Sequence, residues 1–464
     1  MLARSYHDAG VGSILAGNSQ AVLAVMSRDE LIDEPACQAE NSPQEPLGRR
    51  SFLHNLCALA GATIAPAWTA GAIARGAAPA IDASAGAAAA TADSAKLIAG
   101  KATGLIVHGA GPLEIETPLE RLRAHEITPA DILFVRNNQK LADTDTLKPA
   151  PLAGWQIEVA GLVEFPRTLD AAILADMPTE EHELVLQCSG NGRAFYSRAA
   201  KVKGAPWSTG AMGNVRFRGV PLRAVLEVLD CRPHSSAKFL TAEGRDTPVS
   251  ADKADFEHSI PLDDALERSL LAIELNGAPI PAVHGGPVRL VTPGYYATMN
   301  VKWLGRLRLE AQETPNHNQV PRYRTPREPI AAGTPYVNTL ENSEPNWHLR
   351  TKSVIFAPLD GERLASGAAS VSGVAFNDGR ARIEAVEVSV DDGQSWQRAE
   401  LAKSRGPYAW QHWSIGLTLP AGEQQILARA LDSLGRTQPL DPAAGWNPDG
   451  YAWNGVQRVT VQVG

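Results

Sequence analysis

Short strand-like runs and loops alternate with brief helical stretches over residues 105–326. Alternating or continuous apolar runs predict strands at Trp155–Val163, Glu183–Gln187 and Val288–Thr292. The run Leu222–Leu229 predicts a helix. Pro and Gly interrupt the pattern throughout, which favours irregular connections over long elements. We therefore expect an α+β domain with many loops in this part of the chain.

The pattern changes to short β-strands after Thr351. The run Ile383–Val390 alternates strictly, and Asp391-Asp392-Gly393 directly after it has the composition of a tight hairpin turn, with Trp396 beginning the return strand. Further runs predict strands at Val371–Phe376, Trp413–Leu419, Gln425–Leu431 and Val456–Val463. This strand count is typical of an all-β immunoglobulin-like sandwich.

These patterns divide the chain into four predicted segments. Residues 1–93 are an N-terminal extension, 100–326 the α+β domain, 327–350 a linker rich in Pro, Asn, Glu and Thr, and 351–464 the β-sandwich. The extension contains Arg49-Arg50, followed by the weakly apolar, Ala-rich stretch 56–74, which is typical of a twin-arginine export signal. The alternative is an unstructured N-terminus with a chance Arg pair. The stretch is too polar to predict a membrane span.

An export signal of this kind predicts periplasmic localisation. Because the twin-arginine route exports proteins already folded around a cofactor, it also indicates that the chain binds one. The 464 residues carry a formal net charge of −8, which argues against a nucleic-acid partner. The negative net charge does not exclude an anionic substrate, because the substrate responds to the local electrostatic field in its cleft.

The cysteines are Cys37, Cys57, Cys188 and Cys231. None is spaced as CxxC, and no CxxCH is present for covalent haem attachment, so we expect no haem in this chain. Cys188 ends an apolar run and is followed by Ser-Gly-Asn-Gly-Arg193, small residues that leave room for a large group near the thiolate. It could be a metal ligand, a buried small side chain or a partner of Cys231 in a disulfide.

Several motifs occur in a fixed order around this cysteine. They are Phe134–Asn138, Cys188–Arg193, Lys203–Trp207, Gly213–Gly219, His284–Arg289 and Val301–Leu304, and the C-terminal run Val388–Trp396 follows them. Together they resemble the sulfite oxidase family of molybdenum enzymes, with the last run similar to that family's dimerisation domain. The resemblance covers about residues 105–464 and implies an α+β molybdopterin-binding domain followed by the immunoglobulin-like sandwich.

The resemblance also implies which residues bind the molybdenum cofactor, a pterin dithiolene with a phosphate. Cys188 would be the thiolate ligand of the metal, since soft sulfur suits molybdenum. Arginine and lysine suit the phosphate, with arginine able to bind it bidentately. The family's cofactor-contacting positions fall on Phe134, Val135, Arg136, Asn137, Asn138, Asp246, His284, Arg289, Asn300, Val301 and Lys302.

Substrate positions of the family fall on a second set of residues. Positive charge and hydrogen-bond donors suit a small anion such as sulfite. The matching residues are Arg136, Arg193, Lys203, Trp207 and Tyr323. The implied reaction oxidises sulfite to sulfate by oxygen-atom transfer and passes electrons to a separate cytochrome c, with the chain acting as a homodimer.

Three residues depart from the family pattern. Asn138 stands where many relatives have histidine, Gly192 replaces an arginine, and Asp449 stands where sulfite enzymes usually have another pocket arginine. Asp449 would repel a dianion by about 1 to 4 kcal/mol at contact. Either another cation compensates, or the substrate is a different sulfur compound, as for a sulfane dehydrogenase or a sulfoxide reductase.

Two interpretations of another class remain open. One is a secreted immunoglobulin-like binding protein. The other is a cysteine hydrolase that uses Cys188 with His284. We consider the hydrolase disfavoured because the Pro and Gly residues around Cys188 predict no helix N-terminus beside it.

Overall fold

The computed structural model describes residues 93–248 and 255–464, which belong to one compact unit. The predicted export signal, Cys37 and Cys57 lie outside the described residues, so export remains a prediction. Within the described ranges, no helix combines the length and the apolarity that a membrane crossing requires.

The helices are short. They are α1 (Ser94–Leu97), α2 (Leu119–Leu122), α3 (Arg193–Ala199), α4 (Leu222–Val228) and α5 (Leu262–Arg268), with 3-10 turns at Ala171–Ala175, Ala282–His284 and Ala297–Met299. The predicted helix at Leu222–Leu229 is confirmed as α4 within one residue. It buries Leu222, Val225 and Leu226 at the spacing of one helix face.

The strands of the N-terminal part are also short. They are β1 (Ile106–Ala110), β2 (Leu113–Glu116), β3 (Val135–Arg136), β4 (Gln156–Gly161), β5 (Arg167–Asp170), β6 (Glu180–Gln187), β7 (Met212–Pro221), β8 (Phe239–Gly244), β9 (Glu257–Pro261), β10 (Leu270–Leu275), β11 (Ala278–Pro279), β12 (Arg289–Val291), β13 (Leu304–Glu310), β14 (Arg324–Pro326) and β15 (Ser343–Pro345). The predicted strands at 155–163, 183–187 and 288–292 correspond to β4, β6 and β12.

Two five-stranded sheets and smaller sheets make up this part. One has the order β11-β10-β7-β6 with β12 also on β10, and the other has the order β5-β4-β13-β8-β9. β13 pairs with β4 in parallel, whereas the remaining pairs of these sheets are antiparallel. A large apolar cluster includes Ile157, Val159, Leu240, Leu271 and Leu307, and hence side chains of both sheets. Burial of this cluster is the main stabilising contribution.

The C-terminal part contains the remaining strands. They are β16 (Lys352–Ala357), β17 (Arg363–Leu364), β18 (Gly367–Phe376), β19 (Ile383–Ser389), β20 (Gln397–Arg398), β21 (Glu400–Leu401), β22 (Gln411–Leu419), β23 (Gly422–Asp432) and β24 (Gln457–Val463). One sheet has the order β16-β18-β22-β21 and the other β17-β24-β23-β19-β20. A single apolar cluster contains side chains of both sheets, so they pack face to face. Each of the predicted strands is present here.

The C-terminal part packs against the N-terminal part. Arg405 forms ion pairs with Glu126 at 2.6 Å and Glu183 at 2.7 Å, and Arg380 pairs with Asp264 at 2.7 Å. Trp410 and Tyr451 are buried in the cluster that contains the N-terminal sheets. The long loop between β23 and β24, which carries Tyr451, is therefore held against the N-terminal part.

Candidate active site

A cleft lies where several strands of the N-terminal part begin or end. Cys188 directly follows β6, Asn137 follows β3, and Arg289 is the first residue of β12. Its lining residues are Phe134, Arg136, Asn137, Asn138, Leu186, Cys188, Asp246, Phe256, His284, Arg289, Ala297, Thr298, Asn300, Lys302, Trp303 and Tyr323. Most of the residues predicted from the sequence are therefore brought together in one place.

Positive groups cluster at one end of the cleft. The Lys302 amine donates to Asn137 Oδ1 at 2.5 Å and to the carbonyl oxygen of Val283 at 2.9 Å. The Arg289 guanidinium donates to the backbone carbonyls of Asn300 at 2.9 Å and His284 at 3.1 Å. No carboxylate of the described residues forms an ion pair with either cation. The positive charge of these two side chains is therefore uncompensated and can bind an anionic ligand.

Burial acts on the pKa of each of these groups. It lowers the pKa of Arg289 to about 9, and it lowers the pKa of Lys302 well below its usual range, with Arg289 adding to the effect. The pKa of His284 is likewise well below its ordinary value because of burial and the nearby Lys101 and Lys302. An anion bound here would reverse part of these shifts, because opposite charge favours the protonated cation.

Hydrogen-bonding groups line the same end of the cleft. Asn300 is 1% exposed, and its Nδ2 has no hydrogen-bond partner within the described residues. Asp246 is buried, and burial raises its pKa to about 7, so near neutral pH it can carry a proton to donate. Such groups fit a hydrogen-bonding pterin ring with a phosphate, and the cations beside them fit the phosphate. The residues present therefore match the molybdenum cofactor.

Cys188 lines the same cleft. Its Sγ accepts from the Gly190 N–H at 3.4 Å, and burial raises the pKa of the thiol, while Arg193 and Arg136 act in the opposite direction. Cys188 and Cys231 are both free, so the disulfide alternative is excluded. A thiol with these arginines nearby becomes a thiolate when a metal replaces its proton.

One argument against a cysteine hydrolase was wrong, namely that no helix begins beside Cys188. A helix does follow the cysteine motif, since α3 begins at Arg193 with Gly192 in a left-handed conformation at its N-cap. His284 nevertheless does not hydrogen-bond to Cys188 in the described structure. Its Nε2 contacts the Lys101 amine at 3.2 Å and the Ala130 carbonyl oxygen at 3.0 Å. The pair lacks the nucleophile–base contact of a cysteine hydrolase.

Arg193 is held beside the cysteine motif by close backbone packing. Its Nε donates to the Asp449 carbonyl oxygen and its Nη1 to the Ala205 carbonyl oxygen, both at 2.9 Å. A Cβ atom at Gly190 would lie 2.5 Å from its Nη2, and one at Gly204 would lie 2.7 Å from its Nη1. Small residues at these positions are therefore required for the guanidinium to reach this place.

Arg136, Asn138 and Tyr323 form a connected group on the cleft wall. Asn138 Oδ1 accepts a short hydrogen bond from Arg136 Nη2, and Asn138 Nδ2 donates to the Tyr323 hydroxyl at 2.8 Å. Tyr323 has a φ of 53°, a left-handed conformation that is strained for a tyrosine. Its ring stacks on Tyr451 with centroids 4.8 Å apart. Asn138 therefore links an arginine to the tyrosine.

Arg193 and four other predicted residues lie outside the cleft lining. Val135 and Val301 are buried in the apolar core, where their backbone positions the neighbouring residues. Trp207 is fully buried, with its ring 5.0 Å from that of His108. Lys203 is exposed, and its backbone N–H donates to the Pro448 carbonyl oxygen at 2.9 Å. The substrate roles of Lys203 and Trp207 stay predictions.

Other residues near the cleft were not predicted from the sequence. Phe256, Thr298 and Trp303 line it, and Tyr451 reaches its wall from the C-terminal part. Lys101 is 3% exposed and contacts His284. Lys101 is far from the other motifs in the sequence, so no neighbouring residue predicts its place at the site. Trp303, by contrast, directly follows the predicted Lys302 and could have been included.

Comparisons with known proteins agree with this geometry. Residues 145–318 match the family model described as the oxidoreductase molybdopterin binding domain. Residues 343–464 match the model described as the Mo-co oxidoreductase dimerisation domain. The second match begins within the predicted linker, at β15. Both parts of the chain thus match domains of molybdenum enzymes.

Similar proteins include two animal enzymes and one solved bacterial structure. Mitochondrial sulfite oxidase of Mus musculus is 33% identical over 368 residues, which are 77% of this chain and 66% of the mouse protein. Sulfite oxidase of Gallus gallus is 31% identical over 371 residues, 76% of this chain and 77% of that protein. The sulfane dehydrogenase SoxCD from Paracoccus pantotrophus has a TM-score of 0.63 at 25% identity, covering 76% of this chain and 85% of that chain.

These relatives decide between the classes of protein considered above. The two family models matched by this chain and the similarity to sulfite oxidases argue against a binding module alone and against a cysteine hydrolase. The cluster of cations, the pterin-compatible polar groups and the buried Cys188 lie within the matched region. The chain is a molybdopterin-dependent oxidoreductase and belongs to the sulfite oxidase family.

Proposed function

We propose that the protein oxidises sulfite to sulfate by oxygen-atom transfer. The observation that carries this proposal is that Arg136 and Tyr323 line the same cleft as Cys188, while Arg193, behind the lining, acts electrostatically on the Cys188 thiol. Guanidinium groups in a largely buried pocket suit a small oxyanion with several acceptor oxygens. The similarity to sulfite oxidases supports the same substrate.

The side chains contribute binding and orientation. When bound, the molybdenum cofactor supplies the oxygen atom and accepts the two electrons released as sulfite and water become sulfate. Lys302, Arg289 and Asn300 would hold its phosphate and pterin, and Cys188 would be the protein ligand of the metal. Arg136 and Arg193 would orient the substrate anion, with Asn138 fixing the direction of the Tyr323 hydroxyl. Preorganised charge of this kind stabilises charge that develops in the transition state.

The setting of this reaction forms part of the proposal. The Arg49-Arg50 motif supports export in folded form to the periplasm. Transfer of the electrons to a separate cytochrome c belongs to the same proposal. The match to a dimerisation domain supports a homodimer, and the paired C-terminal sheets support the immunoglobulin-like class.

A sulfane dehydrogenase is the second candidate. The Asp449 carboxylate acts electrostatically on Arg322 and Tyr451 beside the cleft, and SoxCD has a similar fold. A substrate with less charge on the end that enters the cleft would tolerate this carboxylate better than sulfite would.

One sample can test both the cofactor and the substrate. Purified protein expressed without residues 1–92 is assayed for molybdenum and pterin, and then for sulfite-dependent reduction of ferricyanide and of cytochrome c. We expect close to one molybdenum per chain and turnover with sulfite. A Cys188→Ser variant is the control, because it should retain pterin and lose turnover. Loaded protein that is inactive with sulfite but oxidises a sulfane sulfur would establish the second candidate.

A further inference from the structure

Arg322 lies next to the site without an ion-pair partner. The residue is half-buried, and its Nη2 donates to the Tyr451 hydroxyl at 3.3 Å. Its guanidinium carbon is 5.4 Å from the ring centroid of Tyr323, which lines the cleft. No carboxylate of a described residue lies within 4.0 Å of it. A partly desolvated guanidinium that lacks a carboxylate partner is a candidate for binding an anion.

Arg322 and Arg193 lie on the same pair of stacked tyrosines. The guanidinium carbon of Arg193 is 5.4 Å from the Tyr451 ring centroid, and Tyr451 stacks on Tyr323. Arg136 reaches Tyr323 through Asn138. Arg136, Arg193 and Arg322 therefore surround the Tyr323–Tyr451 pair, although they come from distant parts of the chain.

Asp449 lies within electrostatic range of the same place. Its carboxylate raises the pKa of both Arg322 and Tyr451, although for Arg322 the largest effect comes from Tyr451 and for Tyr451 from burial. The other titratable groups that face Arg322 are Tyr323, Tyr451 and the buried His258. Burial and Arg322 both lower the pKa of His258, which burial brings to about 4, so this histidine is neutral near pH 7. Arg322 is thus a cation on which the Asp449 carboxylate acts.

We propose that Arg322 is a specificity-determining residue that binds the oxygens of a sulfur oxyanion and offsets the repulsion from Asp449. This inference rests on the proposed function, because it assumes that the anion enters the cleft at the Tyr323–Tyr451 wall. It resolves the conflict between Asp449 and an anionic substrate, since the net charge of the wall stays positive. The cation is supplied by the residue before Tyr323 instead of by position 449.

The first test compares Arg322→Gln with Arg327→Gln in the cofactor-loaded enzyme. Arg327 is a matched control from the same segment, exposed and paired with Glu344 at 2.9 Å. We expect Arg322→Gln to lower kcat/KM for sulfite by about 10- to 100-fold, mainly through KM, since a charged hydrogen bond to the substrate is lost. Inhibition by sulfate should weaken by a similar factor. Arg322→Lys should recover part of both losses, and Arg327→Gln should change neither by more than about twofold.

A second variant separates substrate binding from a structural role. Asp449→Asn combined with Arg322→Gln should recover much of the lost affinity, because removing the carboxylate removes the repulsion that Arg322 offsets. A merely structural Arg322 would give no such rescue. Equal KM and equal sulfate inhibition in Arg322→Gln and wild type, at equal pterin content, would overturn the proposal.

Direct binding of sulfate distinguishes this proposal from the proposed function. Titration of the loaded enzyme with sulfate, followed by the metal–thiolate absorption, needs no turnover. If wild type binds sulfate but does not oxidise sulfite, the proposed function fails, and weaker binding by Arg322→Gln still supports the role of Arg322. If sulfate binding is the same in wild type and Arg322→Gln, the role of Arg322 is refuted whatever the activity.

Discussion

Lys352 is a buried lysine whose charge we expect to destabilise the folded protein. The side chain is 1% exposed, its amine donates to the Trp453 carbonyl oxygen at 3.3 Å, and it lies 4.7 Å from the Trp453 ring centroid. Burial lowers its pKa from the ordinary 10.5 to about 7. We expect Lys352→Met to stabilise the protein near neutral pH, because methionine fills a similar volume without a charge.

The magnitude follows from the two pKa values. Their difference, at about 1.4 kcal/mol for each pH unit, corresponds to a destabilisation of up to about 5 kcal/mol below pH 7. Between pH 7 and 10.5 the unfolded chain binds more protons at this residue than the folded chain, so stability rises with pH. The lost hydrogen bond and cation–π contact offset part of the gain in the variant, each by about 1 kcal/mol. We expect Lys352→Met to be more stable by about 1 to 3 kcal/mol at pH 7.

Urea unfolding at pH 7 and pH 10 measures both effects. The difference between Lys352→Met and wild type should be large at pH 7 and small or reversed at pH 10. Lys403→Met, at an exposed position of the same part of the chain, is the control and should show no such pH-dependent difference. The reasoning would be refuted if the difference in free energy of unfolding between Lys352→Met and wild type were the same at pH 7 and pH 10.

Three further predictions concern the cleft. Cys188→Ser should retain pterin but lose the thiolate-to-metal absorption and at least about 100-fold of the activity, measured by spectroscopy and sulfite turnover on one sample. Lys302→Met should lower cofactor content by about tenfold in purified protein, because a charged contact to the phosphate is lost, and normal occupancy would contradict the assignment. Gly190→Ala should displace Arg193 and raise KM for sulfite by about tenfold. Gly416→Ala is the control, because a Cβ atom there meets no atom within 4 Å, and it should leave KM unchanged. Equal KM values in the two variants would argue against a substrate role for Arg193.

The sequence predicted the elements better than the contacts between them. Alternation identified β19 and its neighbours because one side of each strand is buried in the C-terminal core. The cleft residues found in advance lie in short contiguous motifs such as Phe134–Asn138. Lys101 and Tyr451 were missed because only tertiary packing brings them to the site, Lys101 through its contact with His284. Arg322 directly precedes the predicted Tyr323 and could have been included. The helix α3 was missed because a positive-φ glycine, Gly192, begins it in a Gly-rich stretch.

The position of the Tyr451 loop has a consequence for how such enzymes diverge. The N-terminal part contains every residue assigned to the cofactor, whereas Asp449 and Tyr451 approach the substrate side from a loop between two strands of the C-terminal part. Loops of this kind tolerate exchange better than the strands that carry them. The choice of substrate can therefore change in a domain known for assembly, while the metal-binding half is inherited unaltered. Under the proposed function, substitutions in the loop between β23 and β24 are therefore expected to change selectivity while the cofactor content stays the same.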